Sequence, residues 1–179
     1  MKSIDIYSSK YGSTKKYAEW ISDELKCDLS EKGTISVKEL DQYDVIVYGG
    51  GLYAGGVNGI DIFTKNYDRL KNKKLVLFTC GTADTNKQQN IDHILKGISK
   101  VFNDEMFEKI KVFCLRGSMD YSKLSFKHSI MMKMLRSVIQ RKNQSELSDE
   151  ERQLLDTFGK SINFMNKDSI TPIIEYVNN

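Results

Sequence analysis

Four hydroxyl side chains and one glycine lie close together in YSSKYGSTKK, residues 7–16, between a short apolar segment and an amphipathic one. At a strand-to-helix junction, the free N–H groups of the first helical turn attract an anion, and Gly12 permits close backbone approach. Neither the P-loop spacing nor the dinucleotide G-x-G-x-x-G is present. The stretch therefore predicts a site for one phosphate monoester, with a well-capped polar turn as the alternative. The candidate residues are Ser9, Lys10, Tyr11, Gly12, Ser13 and Thr14.

Two further loops follow apolar runs and could complete a binding site. A glycine-rich loop after residues 44–48 permits close approach of a flat ligand, on which Tyr53 could stack. The alternative is a flexible turn with an exposed tyrosine. The third loop follows residues 75–79 and is weak evidence by itself. The candidate residues are Gly50, Gly51, Leu52, Tyr53, Ala54 and Gly55 in the second loop, and Thr79, Cys80, Gly81, Thr82 and Asp84 in the third.

Strands and helices that alternate along the chain must position these loops. Apolar runs predict strands at 3–7, 27–29, 44–48, 75–79 and 111–115, and helical periodicity predicts helices at 13–25, 59–70, 87–102 and 149–165. A capping box of Ser148 and Glu151 opens the last helix, and Pro172 is expected to follow it. This order predicts a parallel sheet covered by helices on both faces, with ligands at the carboxyl ends of its strands.

Length and composition set the broad class. The 179 residues, 40% hydrophobic and 28% charged, predict one globular domain, 1–179. No apolar run is long enough to span a bilayer and no signal peptide is evident, so we expect a cytoplasmic protein. The two histidines and three cysteines lack metal-ligand spacing, and we expect no metal.

Residues about 117–145 do not fit the alternating pattern. The segment is too long for a simple loop, and 121–145 contains six basic residues and no acidic one. The other 21 basic and 24 acidic residues give the rest of the chain a charge of −3. An apolar face predicts an amphipathic helix that contacts a planar apolar ligand or an anionic membrane surface; the alternative is a helix whose apolar face packs on the core. The contact candidates are Lys127, Met131, Lys133, Met134 and Arg136.

Together the three loops resemble those of the flavodoxin-like family, which binds FMN. The resemblance implies a three-layer α/β sandwich, with a five-stranded parallel sheet, helices on both faces and a late helical insertion. It assigns the loops 49–55 and 79–84 to the isoalloxazine ring, with Tyr53 as the stacking residue. The phosphate loop of the family reads roughly [ST]-x-[ST]-G-x-T, from which this sequence departs at Tyr11.

The stretch DYSKLSF, residues 120–126, and the Met-rich basic helix after it resemble the flavodoxin-domain proteins related to menaquinone-dependent protoporphyrinogen oxidase. That resemblance implies an FMN-dependent dehydrogenase in haem biosynthesis, which oxidises a tetrapyrrole and passes electrons to a quinone or another acceptor. Peripheral contact with the inner face of the membrane through 121–145 is a further expectation, and nucleic acid is not an expected partner. The alternatives are a non-catalytic electron-transfer flavodoxin with a redox protein partner, and a degenerate flavodoxin fold that serves interaction only.

Overall fold

The computed structural model describes residues 1–53 and 55–179. Its strands are β1 (Ser3–Ser8), β2 (Asp28–Glu31), β3 (Val45–Tyr53), β4 (Gly56–Val57), β5 (Lys74–Gly81), β6 (Ile110–Arg116), β7 (Ser118–Asp120) and β8 (Ser161–Asn163). Its α-helices are α1 (Ser13–Leu25), α2 (Asp61–Thr64), α3 (Tyr67–Leu70), α4 (Gln88–Ile98), α5 (Asp104–Lys109), α6 (Phe126–Ile139), α7 (Asp149–Thr157) and α8 (Thr171–Asn178).

Five parallel strands form the central sheet in the order β2-β1-β3-β5-β6, and β4 adds an antiparallel edge to the end of β3. This is the flavodoxin-type order, and it confirms the predicted fold class. From β1 the chain first adds β2 on one side and then β3, β5 and β6 on the other. The direction in which strands are added therefore reverses between β1 and β3. The loops after these two strands therefore meet at the carboxyl edge of the sheet, where open α/β sheets bind ligands.

Two apolar layers sandwich the sheet. Ile21 of α1 and Ile173 of α8 pack with Phe78 on one face of the sheet. On the other face, Phe63 and Leu70 belong to a cluster that also contains residues of α4 and α5. All five side chains are fully buried. Burial on both faces explains why the strands read as continuous apolar runs rather than alternating ones.

The two central strands extend further than the sequence predicts. The third strand does not end before the glycines, since Gly49–Gly51 continue β3. Gly49 and Gly50 pair with both β1 and β5, and Gly51 pairs with β5. A β-carbon on Gly49 would lie 2.0 Å from the tip of the Phe78 ring. Here glycine makes room for a neighbouring aromatic ring inside the sheet.

The helices differ more from the prediction. The helix predicted at 59–70 is two short helices, and α5 was not predicted. The capping box at Ser148 is confirmed, but α7 ends at Thr157 rather than near 165. The helix that closes the fold is α8, and the expectation that Pro172 follows the last helix is wrong. Pro172 stands in the first turn of α8, where its missing N–H costs nothing.

The late insertion runs from Ser118, the first residue of β7, to Asn163, the last residue of β8. Its base is the antiparallel pair β7–β8, and α6 and α7 lie between these two strands. Ile139 is the only buried residue of α6, and α7 has none. No helix in the described part of the chain is long and apolar enough to cross a membrane.

Candidate functional site

The predicted phosphate loop leads into the amino end of α1. Gly12, the residue before the helix, has φ +96°, a conformation that few residues except glycine adopt. The Gly12 N–H donates to the Ser9 hydroxyl at 3.1 Å, which closes the turn. No side chain of the described residues caps the first turn of α1. The backbone N–H groups of this turn are therefore available to an anion.

Two hydroxyl residues of the loop are buried and face the neighbouring strands. The Ser13 hydroxyl accepts a hydrogen bond from the Ser118 N–H at 3.0 Å and lies 2.7 Å from the Ser118 hydroxyl. Thr14 faces Cys80, whose pKa is raised by burial to about 12 despite the Thr14 hydroxyl, so its thiol stays protonated. The phosphate loop is thus joined directly to the base of the insertion.

A cavity of about 130 Å³ opens beside these hydroxyl residues. Its walls come from the three predicted loops and from the insertion. The predicted residues that line it are Tyr11, Ser13, Thr14, Leu52, Tyr53, Cys80, Gly81 and Thr82. The residues from the end of β6 onward that line it are Gly117, Ser118, Met119, Leu124, His128, Met131 and Met132.

Three rings meet at this cavity. The hydroxyl of Tyr11 lies 2.6 Å from Nδ1 of His128. The Tyr53 ring lies 5.5 Å from the His128 ring, inclined by 30°, and 6.0 Å from the Tyr11 ring in an edge-on arrangement. Desolvation, followed by the nearby charges of Lys10 and Lys127, lowers the pKa of His128. The neutral imidazole is therefore the favoured form near neutral pH.

Several predicted binding residues lie outside the cavity walls. Gly50 and Gly51 are strand residues of β3, and Thr79 is a fully buried residue of β5. Asp84 bonds to the Asn86 N–H at 3.2 Å and lies 3.8 Å from Arg116. Gly55 adopts φ +79° in the turn between β3 and β4. Ala54 lies outside the described residues.

A larger cavity of about 570 Å³ adjoins the first one and shares Tyr11, Ser118 and Met119 with it. Lys10, predicted as a phosphate-loop residue, lines this second cavity together with Lys123. The carboxylate of Asp120 also lines it, where the Ser122 N–H and hydroxyl hold its pKa below the usual range.

The predicted contact residues of the insertion point in different directions. Lys127, Lys133 and Met134 are exposed. Met131 is at the cavity wall, whereas the guanidinium of Arg136 stacks over the Phe158 ring, 4.6 Å from its centre. The face predicted to be apolar is exposed to solvent, so the alternative of a helix packed by that face on the core is wrong. The exposed apolar residues of α6 are Phe126, Ile130, Met131, Met134, Leu135 and Val138.

Sequence reasoning missed the insertion residues that face the cavity from α6, chiefly His128 and Met132. These two are four positions apart and share the inner face of the helix with Ile139. The helical spacing of the sequence already places them on the side of α6 opposite to Phe126 and Ile130. Helical spacing could therefore have identified an inner face, although not what it contacts.

Comparison with known proteins identifies the family of this chain. The family model described as "Flavodoxin domain" matches residues 5–146, and the chain belongs to this family. An uncharacterised protein of Methanocaldococcus jannaschii is 31% identical over 124 residues, which cover 68% of this chain and 79% of that protein.

Solved structures with a similar fold include Flavodoxin 2 from Bacillus cereus, at 21% identity and a TM-score of 0.47, with 65% of this chain and 84% of that chain covered. A WrbA-like flavodoxin from Agrobacterium tumefaciens has 20% identity and a TM-score of 0.42, with 55% and 72% covered.

Membership of the flavodoxin domain family indicates FMN binding, and the residues present fit this cofactor. The uncapped amino end of α1, with Ser13 and Thr14 beside it, suits the phosphate. Tyr53 and Leu52 offer a flat apolar wall to a ring system. When bound, FMN supplies the electron and hydride transfer that none of these side chains can perform.

Proposed function

We propose that this chain is an FMN-dependent oxidoreductase whose partner substrate is a largely apolar ring compound admitted beside α6. The observation that carries the proposal is the set of thioether and aliphatic side chains that the insertion adds to the cofactor cavity. Met119, Leu124, Met131 and Met132 line it from this side. The methionine side chain adapts its shape to a ring system. Because it is uncharged, a quinone or a macrocycle can bind against it without removing water from a charged group.

The substrate pair that we propose is a porphyrinogen as donor and a menaquinone-type quinone as acceptor. In each two-electron step the porphyrinogen loses two electrons and two protons, and the quinone takes up both to become a quinol. The chain contributes binding and orientation to these steps. Lys10, at the adjoining cavity, provides positive charge for a carboxylate of a tetrapyrrole, whereas Lys123 of the same cavity is paired with Asp120 at 3.6 Å.

Anaerobic turnover tests this proposal. FMN-loaded protein is mixed with protoporphyrinogen and a menaquinone analogue, and porphyrin fluorescence and quinone absorbance are followed together. We expect porphyrin formation that depends on both FMN and quinone. Met132→Gln should raise the KM for the quinone, whereas Ser137→Gln, on the exposed side of the same helix, should not. Absence of turnover, with flavin reduced in two separate one-electron steps, would instead identify an electron-transfer flavodoxin.

The outer face of α6 supports a second part of the proposal, which is peripheral docking on an anionic lipid surface. Phe126, Ile130, Met134 and Val138 recur at every fourth position and are 83%, 42%, 65% and 58% exposed. Exposed Lys127 and Lys133 belong to the same helix, exposed Arg141 lies two residues beyond its end, and no residue from 126 to 141 is acidic. An apolar ridge with basic neighbours matches the chemistry of a negatively charged membrane interface.

Vesicle sedimentation tests the docking. The protein should sediment with vesicles of phosphatidylcholine and phosphatidylglycerol, and less with phosphatidylcholine alone or at high salt. Replacing both Phe126 and Met134 with serine should abolish sedimentation. Val101→Ser, which removes an exposed valine outside the insertion, is the matched control and should leave it intact. Equal binding by all three proteins would contradict docking through α6.

A further inference from the structure

The structure gives an atypical residue of the phosphate loop a specific partner. Tyr11 stands where a hydroxyl residue of the loop would be expected to reach the phosphate. Its own hydroxyl instead lies 2.6 Å from Nδ1 of His128, 117 positions later in the chain. The contact joins the cofactor loop to the first turn of α6.

A second hydrogen bond to the Tyr11 hydroxyl determines which atom donates in the bond to His128. The Ser125 N–H, at the start of α6, donates to the Tyr11 oxygen at 3.4 Å. The Tyr11 proton is then free to point at Nδ1, which accepts it, and the imidazole proton resides on Nε2. This assignment requires a neutral ring. The charged groups near the ring, Lys10 on the phosphate loop and Lys127 on α6, favour the same form.

The ring of His128 also contacts the predicted flavin-stacking residue. It lies 5.5 Å from the Tyr53 ring at an angle of 30°, and the Tyr11 ring closes the group from the other side. All three side chains line the cofactor cavity. A movement of His128 would therefore release the ring of the phosphate loop and the ring at the end of β3 together.

We propose that His128 is a positioning residue of the FMN site. Its bond to Tyr11 and its contact with Tyr53 hold both rings as walls of the cavity and keep the inner face of α6 against it. The inference rests on the cofactor site of the proposed function, but it concerns cofactor retention and is independent of the substrate. It also gives Tyr11 a role, because the Tyr11 hydroxyl bonds to His128 of the insertion instead of to the phosphate.

A double-mutant cycle on FMN binding tests the proposal. The dissociation constant and the dissociation rate of FMN are measured by fluorescence quenching for wild type, Tyr11→Phe, His128→Ala and the double variant. Each single change should weaken FMN binding by about 2- to 10-fold, as expected for one neutral hydrogen bond, mainly through faster dissociation. The double variant should be no weaker than the weaker single variant, because both changes remove the same contact.

Two further variants keep the test decisive. His128→Asn retains an acceptor close to the position of Nδ1 and should recover most of the affinity, which a merely space-filling role would not predict. His93→Ala, on the exposed side of α4, is the matched control and should bind FMN as wild type does. Unchanged affinity in both single variants, or effects that multiply in the double variant, would overturn the proposal. Wild-type protein that fails to bind FMN would overturn the cofactor assignment instead.

Discussion

The sheet body and the insertion are stabilised in different ways. In the body, two apolar clusters bury side chains from nearly every strand and helix. In the insertion, only Ile139 of α6 is buried and α7 buries nothing. The insertion is held instead by separate polar and aromatic contacts, among them Ser13–Ser118, Tyr11–His128 and Arg116–Gln153.

This difference separates two tasks. The body fixes the amino end of α1 and the strand ends, which the cofactor needs at constant spacing. The insertion leaves an apolar ridge exposed at a cost in solubility and gains little core in return. The exposed apolar residues of α6 support the proposed docking of this helix on an anionic lipid surface. The body therefore supplies the phosphate end of the cofactor site, and we propose that the insertion positions the rings of the cavity and selects the partner.

The largest expected effect tests the difference in stability. Phe78→Ala removes a fully buried ring between β5 and α1, and we expect the free energy of unfolding to fall by about 3–5 kcal/mol. Met134→Ala on α6 removes a side chain that is 65% exposed and should change it by less than about 0.5 kcal/mol. Chemical denaturation measures both. A comparable loss in the two variants would show that α6 is part of the core.

The sequence predicted the body well where local pattern decides structure. β-Branched runs identified β3 and β5, and Ser148 with Glu151 identified the start of α7. The predicted end of β3 was wrong because Gly49 does not end the strand. It is a glycine because the ring of Phe78 leaves no room for a side chain, and Phe78 lies on β5, later in the chain. Pattern within one strand carries no information about a neighbour's ring.

The closing helix and the inner face of α6 were missed for different reasons. α8 is short, but its sequence does contain the signals, since Pro172 suits a first turn and Ile173 and Val177 share one face. For His128, helical spacing indicates the inner face of α6, but no local signal indicates what that face contacts. Its partner Tyr11 belongs to the first loop of the fold, and only the folded chain brings them together.

The second prediction tests whether the body alone carries the cofactor phosphate. Thr14→Ala removes a buried hydroxyl from the first turn of α1, and FMN affinity should fall by about 1.5–3 kcal/mol through loss of a charge-assisted bond. Thr14→Ser keeps the hydroxyl and should retain most of the affinity. Fluorescence titration with FMN, and with riboflavin as the analogue without a phosphate, measures the difference. Riboflavin affinity that falls as much as FMN affinity would contradict a phosphate contact.

The smallest expected effect concerns how pH acts on the two regions. In the insertion, Asp149 is exposed and Glu151 is half-buried. The pKa values of both acids are lowered, first by hydrogen bonds to Lys87 and Lys142, respectively. In the body, Asp5 of β1 is fully buried, and neither of its carboxylate oxygens has a partner among the described residues. Burial raises the pKa of Asp5 well above its usual value. Titration of Asp5 in the body should therefore make the larger contribution to the change in unfolding free energy between mildly acidic and neutral pH.

For a carboxyl group with a raised pKa, the folded state holds the proton more tightly than the unfolded chain. The stabilising contribution is complete below the unfolded pKa of about 3.9 and is lost as the pH rises through the folded value. Asp5→Asn removes this titration. Its unfolding free energy relative to wild type should therefore increase between pH 4 and pH 7. Urea denaturation across this range measures the slope, and Asp149→Asn in the insertion is the comparison. A larger slope for the Asp149 variant would show that the insertion, and not Asp5 of the body, dominates the pH dependence of the unfolding free energy.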